Sequence, residues 1–229
     1  MDMKEKEVKH MVKGMIFDLD GTTLYTLNDL YESFNKALKL FDMPAKTIDE
    51  IRMGVGSGLK VLVERCTPED TDKETREEVG KVYGKIYSEN YLNTSVPYEG
   101  IHELLKKLQE KGIKLAIDSN KGDREVNGLI AKNFPDIEFV EVMGERKGIV
   151  HKPDPQGPLM ILDKMGLKKE EVVYVGDSDI DIFTAKNTGM RSIGCLWGFR
   201  DEKTLKEAGA DFIAERPEEI LEYVEEENR

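Results

Sequence analysis

The sequence predicts an α/β fold in which a Rossmann-like parallel sheet carries helices on both faces and an all-helical cap domain is inserted into it. Short apolar runs typical of strands alternate with segments of helical periodicity, and this alternation produces a parallel sheet covered on both sides. Between residues 28 and 90 the chain is instead charged, helical in character and almost free of strand signals. We therefore expect a core of residues 1–24 and 95–229 and a cap of residues 25–94.

The strands and helices of the core can be placed in order along the chain. Residues 15–17 are apolar and end at Asp18, which predicts a buried first strand. Apolar residues at 101, 104, 105 and 108 share one face of a helix that ends near Gly112. Further strands are predicted at 113–117, 138–143, 172–175 and 191–194, and the helices between them end near 134, 166 and 189. Residues 172–175 are continuously β-branched or aromatic, which is typical of a strand buried on both faces.

Composition and charge narrow the possible partners. The 229 residues carry a formal net charge of −12, a field that repels nucleic acid and anionic membranes. A small anionic ligand would therefore need local cations in its site. The N-terminus has no apolar signal region, no apolar run approaches the ~20 residues that span a bilayer, and Cys66 and Cys195 are isolated. We expect a soluble cytoplasmic protein with reduced thiols, and the sequence leaves its oligomeric state open.

Polar clusters follow three of the predicted strands, at residues 18–22, 119–121 and 176–181, and a fourth at 151–155 precedes a helix. In open parallel sheets, ligands bind beyond the carboxyl ends of the strands, so we expect these clusters to share one rim. Two carboxylates at ~4 Å repel by about 4 kcal/mol at an effective dielectric constant of 20, so such a rim holds either protons or a cation. Hard oxygen ligands without Cys or nearby His favour Mg²⁺, and the set suggests metal-assisted phosphoryl transfer.

The four clusters, in this order, resemble the motifs of the haloacid dehalogenase superfamily, and the resemblance covers nearly the whole chain. The motif residues are Asp18-x-Asp20-Gly21-Thr22, Ser119, Lys152 and Gly176-Asp177-x-x-x-Asp181. Residues 152–155 and 197–200 resemble the phosphoglycolate phosphatase branch more narrowly, and this branch also carries a helical cap after the first motif. The chain departs from that branch at Tyr25, where Asp or Asn is usual at the hinge into the cap.

The resemblance implies a role for each motif residue. Asp18 would attack phosphorus to form an aspartyl-phosphate, and Asp20 would protonate the leaving oxygen and then deprotonate the attacking water. Lys152 would neutralise charge beside Asp18. The other implied roles are Mg²⁺ binding by Asp18, the Asp20 backbone carbonyl and Asp177, support of the metal's water shell by Asp181, and phosphoryl binding by Ser119, Asn120 and the backbone around Gly21.

Several neighbouring residues have simpler interpretations. Asp179 is expected to cap the helix after the fourth cluster, and His151 and Asp154 are expected to be bystanders. Trp197 is expected to contribute packing. The glycines at 54, 56 and 58 predict a flexible cap loop over the site. A phosphate-binding loop is less expected there, because no Lys-Ser/Thr follows the glycines in P-loop spacing.

The resemblance implies 2-phosphoglycolate as the first candidate substrate, and four other functions are alternatives to a phosphatase that acts on it. An inorganic pyrophosphatase would share these motifs. A sugar-phosphate mutase would need cap residues that bind a hexose, and no such set is evident. A dehalogenase uses no Mg²⁺ and lacks the second acid, whereas Asp20 and Asp177 are present. A non-catalytic regulator should have lost one of the four clusters. The expected partner is thus a small phosphorylated metabolite, and the sequence does not decide which one.

Overall fold

The computed structural model describes residues 11–229, and its centre is a six-stranded sheet. The strands of this sheet are β1 (Gly14–Phe17), β4 (Lys114–Gly122), β5 (Phe139–Glu145), β6 (Val172–Gly176), β7 (Arg191–Cys195) and β8 (Phe212–Ala214). They lie in the order β5-β4-β1-β6-β7-β8, and each neighbouring pair is parallel. The predicted α/β fold class is confirmed.

Helices cover both faces of the sheet and form the inserted segment. The core helices are α5 (Ile101–Glu110), α6 (Asp123–Asn133), α7 (Gln156–Met165), α8 (Asp179–Thr188), α9 (Glu202–Ala208) and α10 (Pro217–Glu227). The inserted helices are α1 (Leu27–Leu40), α2 (Ile48–Gly54), α3 (Leu59–Cys66) and α4 (Lys73–Asn90). None of the helices within residues 11–229 is long and apolar enough to cross a membrane.

The two central strands, β1 and β6, lie inside the sheet and were readily predicted from the sequence. Every residue of β1 and of β6 is buried, so both strands are apolar throughout and do not alternate. Gly166 and Gly189 end α7 and α8 in the left-handed conformation, at φ of 63° and 78°, which glycine adopts without steric cost.

The inserted helices have an apolar cluster of their own. Its largest fully buried members include Phe34, Leu38 and Ile51. Phe199, which belongs to the core part of the chain, also packs in this cluster. We continue to propose residues 25–94 as a cap domain, since its helices bury their apolar faces mainly against one another.

Two short strands and one buried carboxylate join the cap to the core. β2 (Leu24–Tyr25) and β3 (Val96–Pro97) pair antiparallel where the chain leaves and re-enters the core. Beside them, the buried carboxylate of Asp29 accepts hydrogen bonds of 2.7–3.1 Å from the backbone N–H and hydroxyl groups of Thr94 and Ser95. The two connections are therefore held together at their base.

Several elements differ from the sequence predictions. The strand β8, the β2–β3 pair and the helix α9 are not among the predicted elements, and each of these three strands has only two or three residues. The acidic run at 225–227 ends α10, where Glu225 pairs with Lys111 at 2.8 Å and Glu227 pairs with Arg191 at 2.5 Å.

Candidate active site

The register of the sheet places three polar clusters at one rim. Phe17, the last residue of β1, lies opposite Ile117 of β4 and Val175 of β6. The residues that follow these three positions therefore emerge side by side at the carboxyl ends of parallel strands. Asp18 is fixed there by its backbone N–H, which donates to the carbonyl of Val175 at 2.9 Å.

One lysine lies between two buried carboxylates at this rim. The Lys152 ammonium is 2.9 Å from Oδ1 of Asp18 and 2.7 Å from Oδ1 of Asp181, and it also donates to the carbonyl of Asp118 at 3.1 Å. Its side chain is 3% exposed, so these partners replace the water that it would otherwise bind. Burial alone would lower the pKa of Lys152, but the carboxylates of Asp18, Asp181 and Asp118 outweigh it and raise that pKa.

Three buried carboxylates lie close together, and the ammonium group of Lys152 offsets only part of their negative charge. Ligand oxygens of Asp18, Asp177 and Asp181 all lie within 4.8 Å of one another, and the three residues are buried. Burial raises the pKa of Asp18 well above its usual value, with the negative charges of Asp181 and Asp177 adding to the effect. Burial, followed by the charge of Asp181, raises the pKa of Asp177 to about 7.

These three residues fit a Mg²⁺ ion. Three acids face one ammonium group, so a divalent cation would bring the cluster to electrical balance. Their donors are all carboxylate oxygens, the ligands that Mg²⁺ prefers, and no thiol or imidazole belongs to the described set.

Asp177 is oriented by two donors and by two glycines that permit close approach. Its Oδ1 accepts from the Thr22 hydroxyl at 2.9 Å, and its Oδ2 accepts from the backbone N–H of Phe199 at 2.7 Å. A Cβ atom on Gly21 would lie 2.4 Å from Oδ2 of Asp177, and one on Gly198 would lie 2.2 Å from its Cβ. Gly21 also has a φ of 90°, so any larger residue there would be both strained and obstructed.

Asp20 lies apart from this group and faces a cavity. Its Oδ1 accepts from the Thr26 hydroxyl at 2.6 Å, and its Oδ2 pairs with the Lys121 ammonium at 2.8 Å. The side chains of Asp20 and Lys121 are only 10% and 6% exposed. The carboxylates of Asp18 and Asp20 therefore have separate environments, as two acids with different chemical roles require.

The predicted phosphoryl-binding residues are partly engaged with other groups. Ser119 lines the cavity, but the Asn120 amide donates to the carbonyls of Gly56 and Lys152, and its Oδ1 accepts from the Lys152 backbone N–H at 2.8 Å. The Gly21 N–H donates to the carbonyl of Leu24 at 3.0 Å. Asn120 and Gly21 thus hold the neighbouring loops in place through these groups.

The cavity lies between the rim and the inserted helices and has a volume of about 180 Å³. This volume is below the ~300–1,000 Å³ of pockets for drug-sized ligands, so the cavity suits a small molecule. The inserted helices contribute an apolar and aromatic wall that includes Leu30, Val55, Leu59, Leu62, Tyr83 and Tyr87. Gly56 and Gly58, from the predicted glycine loop, also line it, whereas Lys121 is the lining residue that carries positive charge.

Sequence reasoning left several site residues unassigned. Lys121 belongs to the second cluster but had no predicted role, because its pairing with Asp20 leaves no local signal in the sequence. The expected helix cap, Asp179, is instead the first residue of α8, and Ser178 is the cap. The backbone N–H and hydroxyl of Ser178 both donate to Oδ2 of Asp181, so Asp181 supports the helix end and the acid cluster together.

His151, Asp154 and Trp197, for which no role in the chemistry was predicted, each make a polar contact. His151 Nε2 lies 3.2 Å from Oε1 of Glu145, and the Asp154 carboxylate accepts from the Gln156 N–H. Trp197 packs against the apolar core, and its indole N–H also donates to the carbonyl of Thr22 at 2.9 Å.

Comparison with known proteins gives consistent results. The sequence profile of a family described as haloacid dehalogenase-like hydrolase matches residues 15–195. A phosphoglycolate phosphatase from Haemophilus influenzae is 32% identical over 204 residues, which are 86% of this chain and 91% of that protein. A predicted phosphoglycolate phosphatase from Haemophilus somnus, known from its crystal structure, is 28% identical with a TM-score of 0.86 and covers 93% and 97% of the two chains. A structure from Lactobacillus delbrueckii is 32% identical with a TM-score of 0.89 and covers 93% and 98%.

The raised pKa of Asp177 predicts how the stability of the metal-free protein depends on pH. Between the usual pKa of about 3.9 and about 7, the folded state holds a proton that the unfolded chain has lost. The free energy of unfolding in chelator should therefore fall as pH rises through this window. A Mg²⁺ ion bound at this site would replace the proton, so the stabilisation that Mg²⁺ gives should grow over the same window. Thermal unfolding at about pH 5 and about pH 8, with chelator and with Mg²⁺, measures both effects.

Asp177→Asn provides the control for this experiment, because the amide keeps the shape of the side chain but does not titrate. The variant should lose less stability than the wild type between the two pH values, and it should gain less from Mg²⁺. Equal pH slopes for wild type and variant would contradict the assignment.

Proposed function

The chain belongs to the haloacid dehalogenase-like hydrolase family, and from that premise we propose that it is a Mg²⁺-dependent phosphatase that hydrolyses a small phosphomonoester. The observation that supports this most strongly is the position of Asp18. Its carboxylate lines the small cavity and lies against Lys152 and two further acids. A carboxylate held in this way can act as a nucleophile towards phosphorus while the Lys152 ammonium balances its charge.

The first chemical step uses the two aspartates of the first cluster. An oxygen of Asp18 attacks the phosphorus atom and forms an aspartyl-phosphate, while the bond to the ester oxygen breaks. Asp20 donates its proton to that oxygen, so the leaving group departs as an alcohol and not as an alkoxide. Lys152 pairs with Asp18 at 2.9 Å and offsets its negative charge.

The second step regenerates the nucleophile. Asp20, now ionised, takes a proton from a water molecule, whose oxygen attacks the phosphorus of the aspartyl-phosphate. The bond between Asp18 and phosphorus breaks, inorganic phosphate forms, and both aspartates return to their starting states. The Thr26 hydroxyl and the Lys121 ammonium hold the Asp20 carboxylate beside the cavity throughout.

We propose that Asp18, Asp177 and the backbone carbonyl of Asp20 hold Mg²⁺, with Asp181 supporting its water shell. When bound, the ion would stabilise the negative charge of the transferring phosphoryl group. Ser119 lines the cavity, and we propose that its hydroxyl donates to a phosphoryl oxygen.

We propose 2-phosphoglycolate as the substrate. The curated relatives include phosphoglycolate phosphatases of similar length, and the cavity suits a molecule of that size. Lys121 supplies one positive charge for the carboxylate on the leaving alcohol, whereas Glu125 and Glu145 also line the cavity. One cation among several acids suits a singly charged carboxylate better than the second phosphate of pyrophosphate or of a sugar bisphosphate.

A phosphate-release screen tests the proposed function. The panel should contain 2-phosphoglycolate, ethyl phosphate, pyrophosphate and hexose phosphates, each with Mg²⁺ and with chelator. We expect 2-phosphoglycolate to have the highest kcat/KM and chelator to remove the activity. Asp18→Asn is the matched control, since its amide has nearly the same shape but is a poor nucleophile. Full activity in chelator, or in this variant, would refute the mechanism.

Asp20→Asn should slow the two steps unequally. With p-nitrophenyl phosphate the leaving group is weakly basic, so formation of the aspartyl-phosphate needs little proton donation. Hydrolysis of that intermediate still needs a base and should slow by ~10²–10⁴-fold. Rapid mixing should show a burst of nitrophenol near one equivalent per active site, and protein mass should rise by one phosphoryl group on Asp18. A linear time course without an adduct would contradict the double role of Asp20.

Lys121→Met should reduce the preference for an anionic leaving alcohol. The ratio of kcat/KM for 2-phosphoglycolate to kcat/KM for ethyl phosphate should fall about tenfold or more, as expected when a charged hydrogen bond is lost. The ratio separates recognition of the carboxylate from any general effect on Asp20. Lys147→Met, at an exposed position outside the cavity, is the control and should keep the wild-type ratio. An unchanged ratio in Lys121→Met would remove Lys121 from substrate recognition.

A further inference from the structure

The loop after β7 contacts both the nucleophile turn and the acid cluster. We call residues 197–200 the bridging loop. The Trp197 indole donates to the carbonyl of Thr22 at 2.9 Å, and the Phe199 N–H donates to Oδ2 of Asp177 at 2.7 Å. The backbone at Gly198 approaches Asp177 so closely that a Cβ atom there would lie 2.6 Å from its carboxylate carbon. The bridging loop therefore cannot shift without disturbing Asp177.

The same loop also holds the cap through its last two residues. The Phe199 side chain is buried in the apolar cluster of the inserted helices. The Arg200 guanidinium donates to three backbone carbonyls at the end of α2, those of Arg52 at 3.1 Å, Met53 at 3.4 Å and Val55 at 3.0 Å. Its side chain is 7% exposed. A planar guanidinium is suited to such multiple contacts, which a lysine could not reproduce.

We propose that the bridging loop couples the position of the cap to the orientation of Asp177, with Arg200 as the positioning residue. If the cap moves away from the core, Arg200 loses its carbonyl partners and the Phe199 ring leaves its apolar surroundings. The Phe199 N–H then shifts relative to Asp177, which loses one of its two donors. This inference rests on the proposed function, because the orientation of Asp177 matters through metal binding.

Coupling of this kind is reciprocal. If the closed cap improves the geometry of Asp177 for Mg²⁺, then Mg²⁺ must favour the closed cap by the same factor. The cap would thus close more readily over a loaded site, which would exclude bulk water at the stage when the phosphoryl group is transferred.

Arg200→Gln tests the proposal with two measurements that do not depend on turnover. Calorimetry without substrate gives the Mg²⁺ affinity, and spin labels on Lys60→Cys in the cap and Lys147→Cys in the core give the distance between them. Both positions are exposed, whereas Cys66 and Cys195 are buried and should not be labelled. We expect the Kd for Mg²⁺ to rise about fivefold or more, and the distance distribution to become longer and broader.

Two further variants make the test specific. Arg65→Gln is the matched control, because Arg65 donates to the same Met53 carbonyl at 3.0 Å but from within the cap. It should leave Mg²⁺ affinity and the distance distribution unchanged. Phe199→Leu keeps the N–H that Asp177 accepts but weakens the packing against the cap, so it should show both effects of Arg200→Gln. It also provides an independent test if Arg200→Gln folds poorly.

The outcomes separate the coupling from the proposed metal centre. A longer cap–core distance with unchanged Mg²⁺ affinity would overturn the coupling, and so would weaker Mg²⁺ binding with an unchanged distance. If the wild-type protein binds no Mg²⁺ at all, the proposed metal centre fails and the coupling fails with it. Joint changes in Arg200→Gln and Phe199→Leu, but not in Arg65→Gln, support the proposal.

Discussion

Three buried carboxylates that face one lysine are the constraint on which the rest of the site depends. Asp18, Asp177 and Asp181 lie within 4.8 Å of one another, and Lys152 contacts two of them. Such a group is unfavourable when all its members are ionised, and the raised pKa values of Asp18 and Asp177 express that cost. The fold must therefore hold these acids together against their repulsion until a cation or protons neutralise them.

The surrounding structure meets this requirement with rigid supports. Asp18 directly follows the central strand β1, which is buried along its whole length. Lys152 is held through the Asn120 side chain, which bonds to both its backbone N–H and its carbonyl. Asp181 is fixed by the first turn of α8. Each charged group is thus placed by backbone or by a buried partner, so the site is organised before substrate arrives.

Parts of this arrangement could be predicted from the sequence because they depend on local patterns. The strand that ends at Asp18 is apolar throughout, and the strand 172–175 is β-branched and aromatic, so both were predicted from short segments. The short strand β8 could not be predicted, because its three residues are too few for a periodic pattern. The pairing of Asp20 with Lys121 joins residues 101 positions apart, and only the folded chain brings them together.

Backbone acceptors were the hardest features to foresee. Arg200 binds three carbonyl groups at the end of α2 and in the residue that follows it, and carbonyl groups are present at every residue, so no side chain in the sequence marks the contact. The same holds for the Phe199 N–H at Asp177. Interactions between the two parts of the chain are therefore less visible in the sequence than the proposed catalytic residues, although both shape the same site.

The cavity divides its tasks between the two parts of the chain. The core supplies the charged groups at the rim, whereas the helices α1 to α4 supply mainly leucine, valine, tyrosine and glycine. Apolar walls exclude water and limit size, but they cannot attract an anionic substrate at long range, and the overall charge of −12 opposes its approach. Attraction must then come from the rim itself, where a bound divalent ion would add the positive charge that Lys121 and Lys152 alone do not provide. On this reasoning a bound metal ion would have two consequences for the proposed activity: it would stabilise the acid cluster in its ionised form, and it would make the electrostatic potential at the entrance of the cavity more favourable for a phosphate ester.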